Sequence, residues 1–233
     1  MVTRHIVALG GGGFSMEPEN PALDDYILDL TGRTQPKVSF VPTASGDADA
    51  YLLRFYQSFA DGRCRASHLA LFQRSVDDLR AYVLSQDVIY VGGGNTANLL
   101  AVWRAHGLDV ILHQAWTAGV VLCGVSAGAL CWFQGGVTDS FGTQLAVLRD
   151  GLGLLPGSHC PHYDGEAQRR PAYHRCIEEG LPAGIAADDG CGLHFEGTAL
   201  AEIIASRPQA RAYKVERSAS GIVETALPAR LLR

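Results

Sequence analysis

The stretch GVVLCGVSAGA at 119–129 decides how this 233-residue chain is read. Its first half is an apolar, β-branched run without polar alternation, the pattern of a strand covered on both faces. Its second half sets a hydroxyl, Ser126, between Gly124 and Gly128 in the spacing GxSxG. That spacing belongs to a strained strand-to-helix turn that holds a serine Oγ above the end of a sheet. A side chain at either glycine would crowd the turn or the helix behind it. In such a turn the N–H of Ala127 opens a helix N-terminus and can donate to a developing oxyanion. The competing assignment is a serine that merely caps the following helix.

Outward from this stretch the chain alternates between strands and helices. HIVALG (5–10), KVSFVPT (37–43), DVIYVGG (87–93) and GVVLCGV (119–125) read as buried strands. Helical patterns lie between them at 21–30, 48–62, 76–85 and 95–107, the last with Leu99, Leu100 and Trp103 on one face. Strand–helix–strand repetition implies a mostly parallel sheet with helices on both faces. The pattern changes after Asp150, to a His- and Gly-rich loop over 151–166 and a short helix near 170–179. Strand-like runs at 184–188, 192–197, 200–206 and 210–216 follow, read as further sheet with antiparallel strands at the C-terminal end. With no linker, internal repeat or low-complexity tract in view, the expectation is a single α/β domain over 1–233.

Composition narrows the function. A hydrophobic fraction of 47% and a charged fraction of 18% are those of a globular chain. The net charge of −5 offers no basic stripe to displace phosphate counterions, so no nucleic-acid partner is expected. Residues 110–138 carry no Asp, Glu, Lys or Arg, but five glycines, two glutamines and a histidine interrupt the run. It reads as the end of a helix, then a core strand running into a core helix, and no membrane partner is expected. The start MVTRHIVALGGGG has no signal-peptide pattern. Six scattered cysteines without CxxC read as buried free thiols, and together these features predict a cytoplasmic protein.

Three strands end in glycine, at 10–13, 92–94 and 124–128, and the carboxyl ends of strands form the binding crevice of open α/β sheets. The first cluster fails as a dinucleotide fingerprint because Ser15 stands where the third glycine belongs. The second, GGGNT, either makes a tight turn with Asn95 or Thr96 as helix cap or presents an open backbone N–H to negative charge. A nucleophilic serine needs a base, and the base needs an orienting acid. Of eight histidines, His159 and His162 lie in the loop SHCPHYD, where such a base belongs. The acids within range are Asp139, Asp164, Glu166, Asp188 and Asp189. His159, Cys160, His162, His174, Cys176 and Cys191 are soft metal ligands, but neither HExxH nor a CxxC pair organises them, so no metal and no other cofactor is expected.

GGGNT, GVSAGA, the PHYDGE loop and the later DDG, in this order and spacing, resemble the dipeptidase E (aspartyl dipeptidase) family of serine peptidases, relatives of the cyanophycinases. The likeness runs from the first strand to about residue 200. It implies a fold like that of class I glutamine amidotransferases, with Ser in place of Cys. By the same resemblance Ser126 is the nucleophile, His162 the base and Asp189 the third member, where the best-known members have Glu. Gly94 and Ala127 would supply the oxyanion N–H groups, and Asp139 is a second-choice acid.

The family's founding activity is release of an N-terminal aspartate, which calls for a cation to meet the substrate carboxylate. Gln168 stands at the ungapped position of the family's arginine, which leaves Arg169 or Arg170 for that role. Glu166 is a candidate for the substrate ammonium, and Asn95 and Thr96 are candidate substrate contacts. The expectation is a serine exopeptidase acting on small peptides, as a monomer or homodimer. Alternatives are an esterase-like hydrolase, which would use the order Ser126, Asp139, His162, an exopeptidase of carboxypeptidase or broad dipeptidase specificity, and an inactive peptide-binding relative.

Overall fold

The computed structural model describes residues 2–233. Its strands are β1 (His5–Leu9), β2 (Lys37–Val41), β3 (Arg65–His68), β4 (Val88–Val91), β5 (Val121–Val125), β6 (Phe133–Thr138), β7 (Ala146–Leu148), β8 (Leu155–Cys160), β9 (Gly184–Ala187), β10 (Cys191–Glu196), β11 (Ala199–Ala205), β12 (Ala212–Ser218), β13 (Gly221–Leu227) and β14 (Arg230–Leu231). Its α-helices are α1 (Ala22–Asp29), α2 (Asp49–Ser58), α3 (Leu79–Leu84), α4 (Thr96–His106), α5 (Leu108–Ala118), α6 (Ala127–Leu130) and α7 (Arg169–Glu178).

Eight strands form one sheet in the order β14-β11-β10-β1-β5-β4-β2-β3. From β1 outward through β5, β4, β2 and β3 every pairing is parallel, whereas β10 pairs antiparallel with both β1 and β11. The continuous apolar runs have the expected cause. Val7, Leu9, Val38, Phe40, Val88, Tyr90 and Val121 bury one face beneath α1 and α2. Their neighbours Ile6, Ala8, Val41, Ile89, Val91 and Leu122 bury the other against α3, α4 and α5.

A second sheet was not legible in the pattern. It has six strands in the order β13-β12-β9-β8-β6-β7 and packs α7 against one face. Two expectations are corrected by it. The segment 151–166 is not all loop, because Leu155–Cys160 is β8, paired in parallel with β6 and β9. The sequence LPGSHC has little intrinsic strand preference, and tertiary pairing overrides it. The core helix expected after Ser126 also lasts only to Leu130, and Phe133–Thr138 turns into β6. Among the described residues, no helix is long and apolar enough to cross a membrane. All six cysteines are buried and unpaired.

The chain passes between the sheets at a few points only. It leaves the first sheet through β5, α6 and β6, and returns through β9, the Asp188–Gly190 turn and β10. The candidate site lies at this seam.

Candidate active site

Ser126 sits directly after β5 with φ +56° and ψ −112°, a conformation that strains any residue with a Cβ. Non-glycine residues with positive φ are rare here, and the described ones are Asp47, Ser126 and His162. Strain of about 1–3 kcal/mol per such residue persists only where the surroundings enforce it. Here they do. The Ser126 N–H donates to Leu9 O, and the carbonyl accepts from the N–H groups of Ala129 and Leu130. A Cβ on Gly124 would overlap Gly128 O, and one on Gly128 would overlap Val91 O. The two glycines therefore let α6 lie directly on β4 and β5, which tips Ser126 outward.

Gly128→Ala tests this directly. The new methyl meets backbone, which cannot swing aside, and an overpacking cost of about 1–3 kcal/mol is expected in a urea melt. An unchanged midpoint would show that the close approach does not need glycine.

His162 follows β8 on a loop stitched between the sheets. Its N–H donates to Gly10 O, and the next N–H, of Tyr163, donates to Ala187 O. The ring Nδ1 lies 2.6 Å from Asp189 Oδ1. Burial alone would raise the Asp189 carboxyl, but the hydrogen bond and charge of His162, with Arg207 and Arg169, outweigh it and hold that group below the ordinary carboxylate value. Asp189 is held in turn: its N–H donates to Asp164 Oδ1 at 2.9 Å, and its carbonyl accepts from Arg207 Nε at 2.7 Å. Arg207 closes the ring with a 2.6 Å contact to Asp164 Oδ2.

The glycines at 10–13 find their explanation at this pair. A Cβ on Gly11 would overlap Asp189 Oδ1 and crowd His162 Nδ1, and a Cβ on Gly165 would overlap Asp189 Oδ2. The backbone thus approaches the carboxylate closely from two sides, which lets the short aspartate reach the imidazole.

Ser126 and His162 line one cleft of about 460 Å³, together with Ser15, Met16, Tyr51, Arg54 and the Gly93–Gly94 turn. Among the described residues no hydrogen bond joins Ser126 Oγ to the His162 ring; contacts of this kind commonly tighten only with substrate in place. Neither the Gly94 nor the Ala127 N–H has a protein acceptor among the described residues, so both remain available to an oxyanion. Gly94 has φ +136°, and a Cβ there would overlap Ala44 O.

Other expected site residues are placed elsewhere. Both ends of the Asn95 amide are occupied, accepting from Asn98 N and donating to Ser140 O, so it serves as the cap of α4. Thr96 is buried beside it. Arg169 is 3% exposed and donates to Val137 O and Glu166 Oε2, so it braces β6 instead of meeting solvent or substrate. Glu166 is the other half of that pair. Arg170 pairs with Glu224 and lies over the rings of Tyr163 and Tyr213. Asp139 is exposed at the end of β6 and makes no contact with His162, which leaves the esterase order without an acid. The soft ligands between His159 and Cys191 form no metal-binding group among the described residues.

The cation that does line the cleft is Arg54, on the exposed side of α2, where its Nη1 donates to Ser15 O at 2.8 Å. Sequence reasoning passed over it, since an arginine on an amphipathic helix looks like a solvated charge. The available signal is its i, i+3 spacing from Tyr51, whose hydroxyl accepts from Gly93 N–H and contacts Ser15 Oγ.

Comparison with known proteins identifies the family and the fold. The chain is 53% identical over 230 residues to the uncharacterized peptidase YgaJ of Bacillus subtilis (strain 168), covering 98% of this chain and 99% of that one. It is 28% identical over 187 residues to peptidase E of Shewanella denitrificans (strain OS217), covering 76% and 77% of the two chains. The crystal structure of a peptidase from an acI-B1 Actinobacterium shares the fold, with a TM-score of 0.71 at 18% identity over 97% of this chain and 95% of that one. The model of peptidase family S51 matches residues 6–203, and the chain belongs to that family.

Proposed function

We propose that this peptidase is a serine exopeptidase that cleaves short peptides by acyl transfer, with a preference for an N-terminal aspartate. The observation that carries the reading is the His162–Asp189 contact at the edge of the cleft that Ser126 enters in a strained turn. In this mechanism Ser126 Oγ attacks the scissile carbonyl while His162 Nε2 takes its proton. Asp189 holds the Nδ1–H tautomer and stabilises the imidazolium. The tetrahedral oxyanion accepts from Gly94 and Ala127. His162 then protonates the leaving amine, and a water deprotonated by the same ring hydrolyses the acyl-enzyme.

Arg54 is the residue we assign to the substrate carboxylate, in place of Arg169 and Arg170, which are already paired with the carboxylates of Glu166 and Glu224. A hydrogen bond to a charged group is worth about 1.5–3 kcal/mol. Arg54→Met is therefore expected to lower kcat/KM for Asp-Leu about ten- to hundredfold and to leave Leu-Leu unchanged. Hydrolysis of Asp-Leu, Leu-Asp, Leu-Leu and N-acetylated Asp-Leu, followed by mass spectrometry, checks this. Equal rates on Asp-Leu and Leu-Leu would remove the acidic preference. Cleavage of the acetylated peptide as fast as the free one would overturn the requirement for a free N-terminus.

A further inference from the structure

A second group of ligating side chains lies at the other end of β1, about 20 Å along the strand from the cleft-side glycines. His5 opens β1 and stands directly opposite Glu196 in the antiparallel pairing with β10. His194 precedes Glu196 by two residues, so both project from the same face of β10. His5, opposite one and diagonal to the other, shares that face. The donor atoms of these three side chains all lie within 4.8 Å of one another.

The hydrogen bonds around the group fix which nitrogen is open. The Tyr26 hydroxyl donates its one proton to Glu202 Oε2 at 2.8 Å, and Glu202 is held in place by Arg230. Tyr26 Oη must then accept from His194 Nδ1, 2.7 Å away. His194 therefore carries its proton on Nδ1 and turns an unprotonated Nε2 toward His5 Nδ1, 2.9 Å distant. An outer partner that fixes the tautomer and ring orientation in this way is the usual support of a metal-binding histidine. His194 is buried, His5 is half-buried and Glu196 is exposed, so the group is open to solvent on one side.

We propose that His5, His194 and Glu196 bind one zinc ion. Two imidazoles and a carboxylate suit this borderline cation, with a water completing four-coordination. With Zn–N distances of about 2.0–2.1 Å, two nitrogens on a tetrahedral zinc stand roughly 3.3 Å apart, so the imidazoles part slightly from their 2.9 Å contact while the exposed Glu196 swings onto the ion by rotation. On binding, His5 moves its proton from Nδ1 to Nε2, so neither imidazole has to lose a net proton. The ion ties β1 to β10, where the parallel half of the first sheet meets its antiparallel half. It acts on stability, and peptide hydrolysis does not depend on it.

The test is calorimetric titration of chelator-treated protein with zinc chloride, paired with thermal melts. One ion per chain and a raised Tm are expected, with magnesium chloride producing neither. His5→Gln and Glu196→Gln, both at positions open to solvent, should each weaken zinc binding at least tenfold and abolish the rise in Tm. Tyr26→Phe keeps all three ligands and should weaken binding about tenfold by freeing the His194 tautomer. Absence of saturable zinc binding would overturn the proposal. So would a stoichiometric site that His5→Gln and Glu196→Gln leave intact. Peptidase activity is measured alongside, and its loss or retention bears on the cleft alone.

Discussion

Ser126→Ala is expected to reduce kcat by about 10⁶-fold, the scale at which removal of an acyl-transfer nucleophile abolishes covalent catalysis. KM for dipeptides should change little, because the hydroxyl makes no hydrogen bond among the described residues and Arg54 is untouched. The folded state should be retained or slightly stabilised, since alanine removes a polar atom without relieving the positive φ. Labelling by a fluorophosphonate supplies a second readout: the wild-type chain should carry one adduct, at Ser126, and the variant none. An alanine variant that still turns over peptide in a preparation free of other peptidases would remove Ser126 from the mechanism.

Asp189→Asn should lower kcat about 10⁴-fold with the geometry of the turn preserved. The asparagine amide can present its N–H₂ to His162 Nδ1, which turns the ring to the tautomer that cannot accept the serine proton. The same variant changes acid stability. In the folded protein the Asp189 carboxyl lies below its ordinary value. Its contribution is therefore complete above the unfolded aspartate value, near 3.9, and is lost as pH falls through the lower folded value. Asp189→Asn should flatten that acid limb of the stability curve. A variant that keeps wild-type kcat would place the orienting acid elsewhere.

The parts of this molecule legible in its sequence are those where one cause dominates. A strand buried on both faces must be apolar throughout, so β1, β2, β4 and β5 stand out as VIYV and VVLC stand out. The elbow is legible because only glycine tolerates the approach of α6 to β4. The strand β8 was hidden because Pro156 and Gly157 break its local pattern, while its stability comes from neighbours on both sides. Arg169 was expected at the substrate and Arg54 was passed over for a related reason. Whether an arginine braces a strand or faces a cleft depends on what packs over its helix, and helical periodicity does not carry that information. The DDG turn was ambiguous between two acids, and the structure separates them. Asp188 is buried, its carboxyl pushed up to about 6 by burial and by Asp164, while Asp189 faces the imidazole.

The position of the seam has a mechanical consequence. Ser126 is carried by the eight-stranded sheet, while His162 leaves a strand of the six-stranded one. The two side chains thus start from different sheets, and the His162 N–H bond to Gly10 O, at the end of β1, helps set the Oγ-to-imidazole distance. A misplacement of 1 Å can cost about 10²-fold in rate. Trp132 and Phe133 lie in an apolar core that strands of both sheets share, so a cavity made there is expected to shift that distance, and the rate with it, without approaching the substrate.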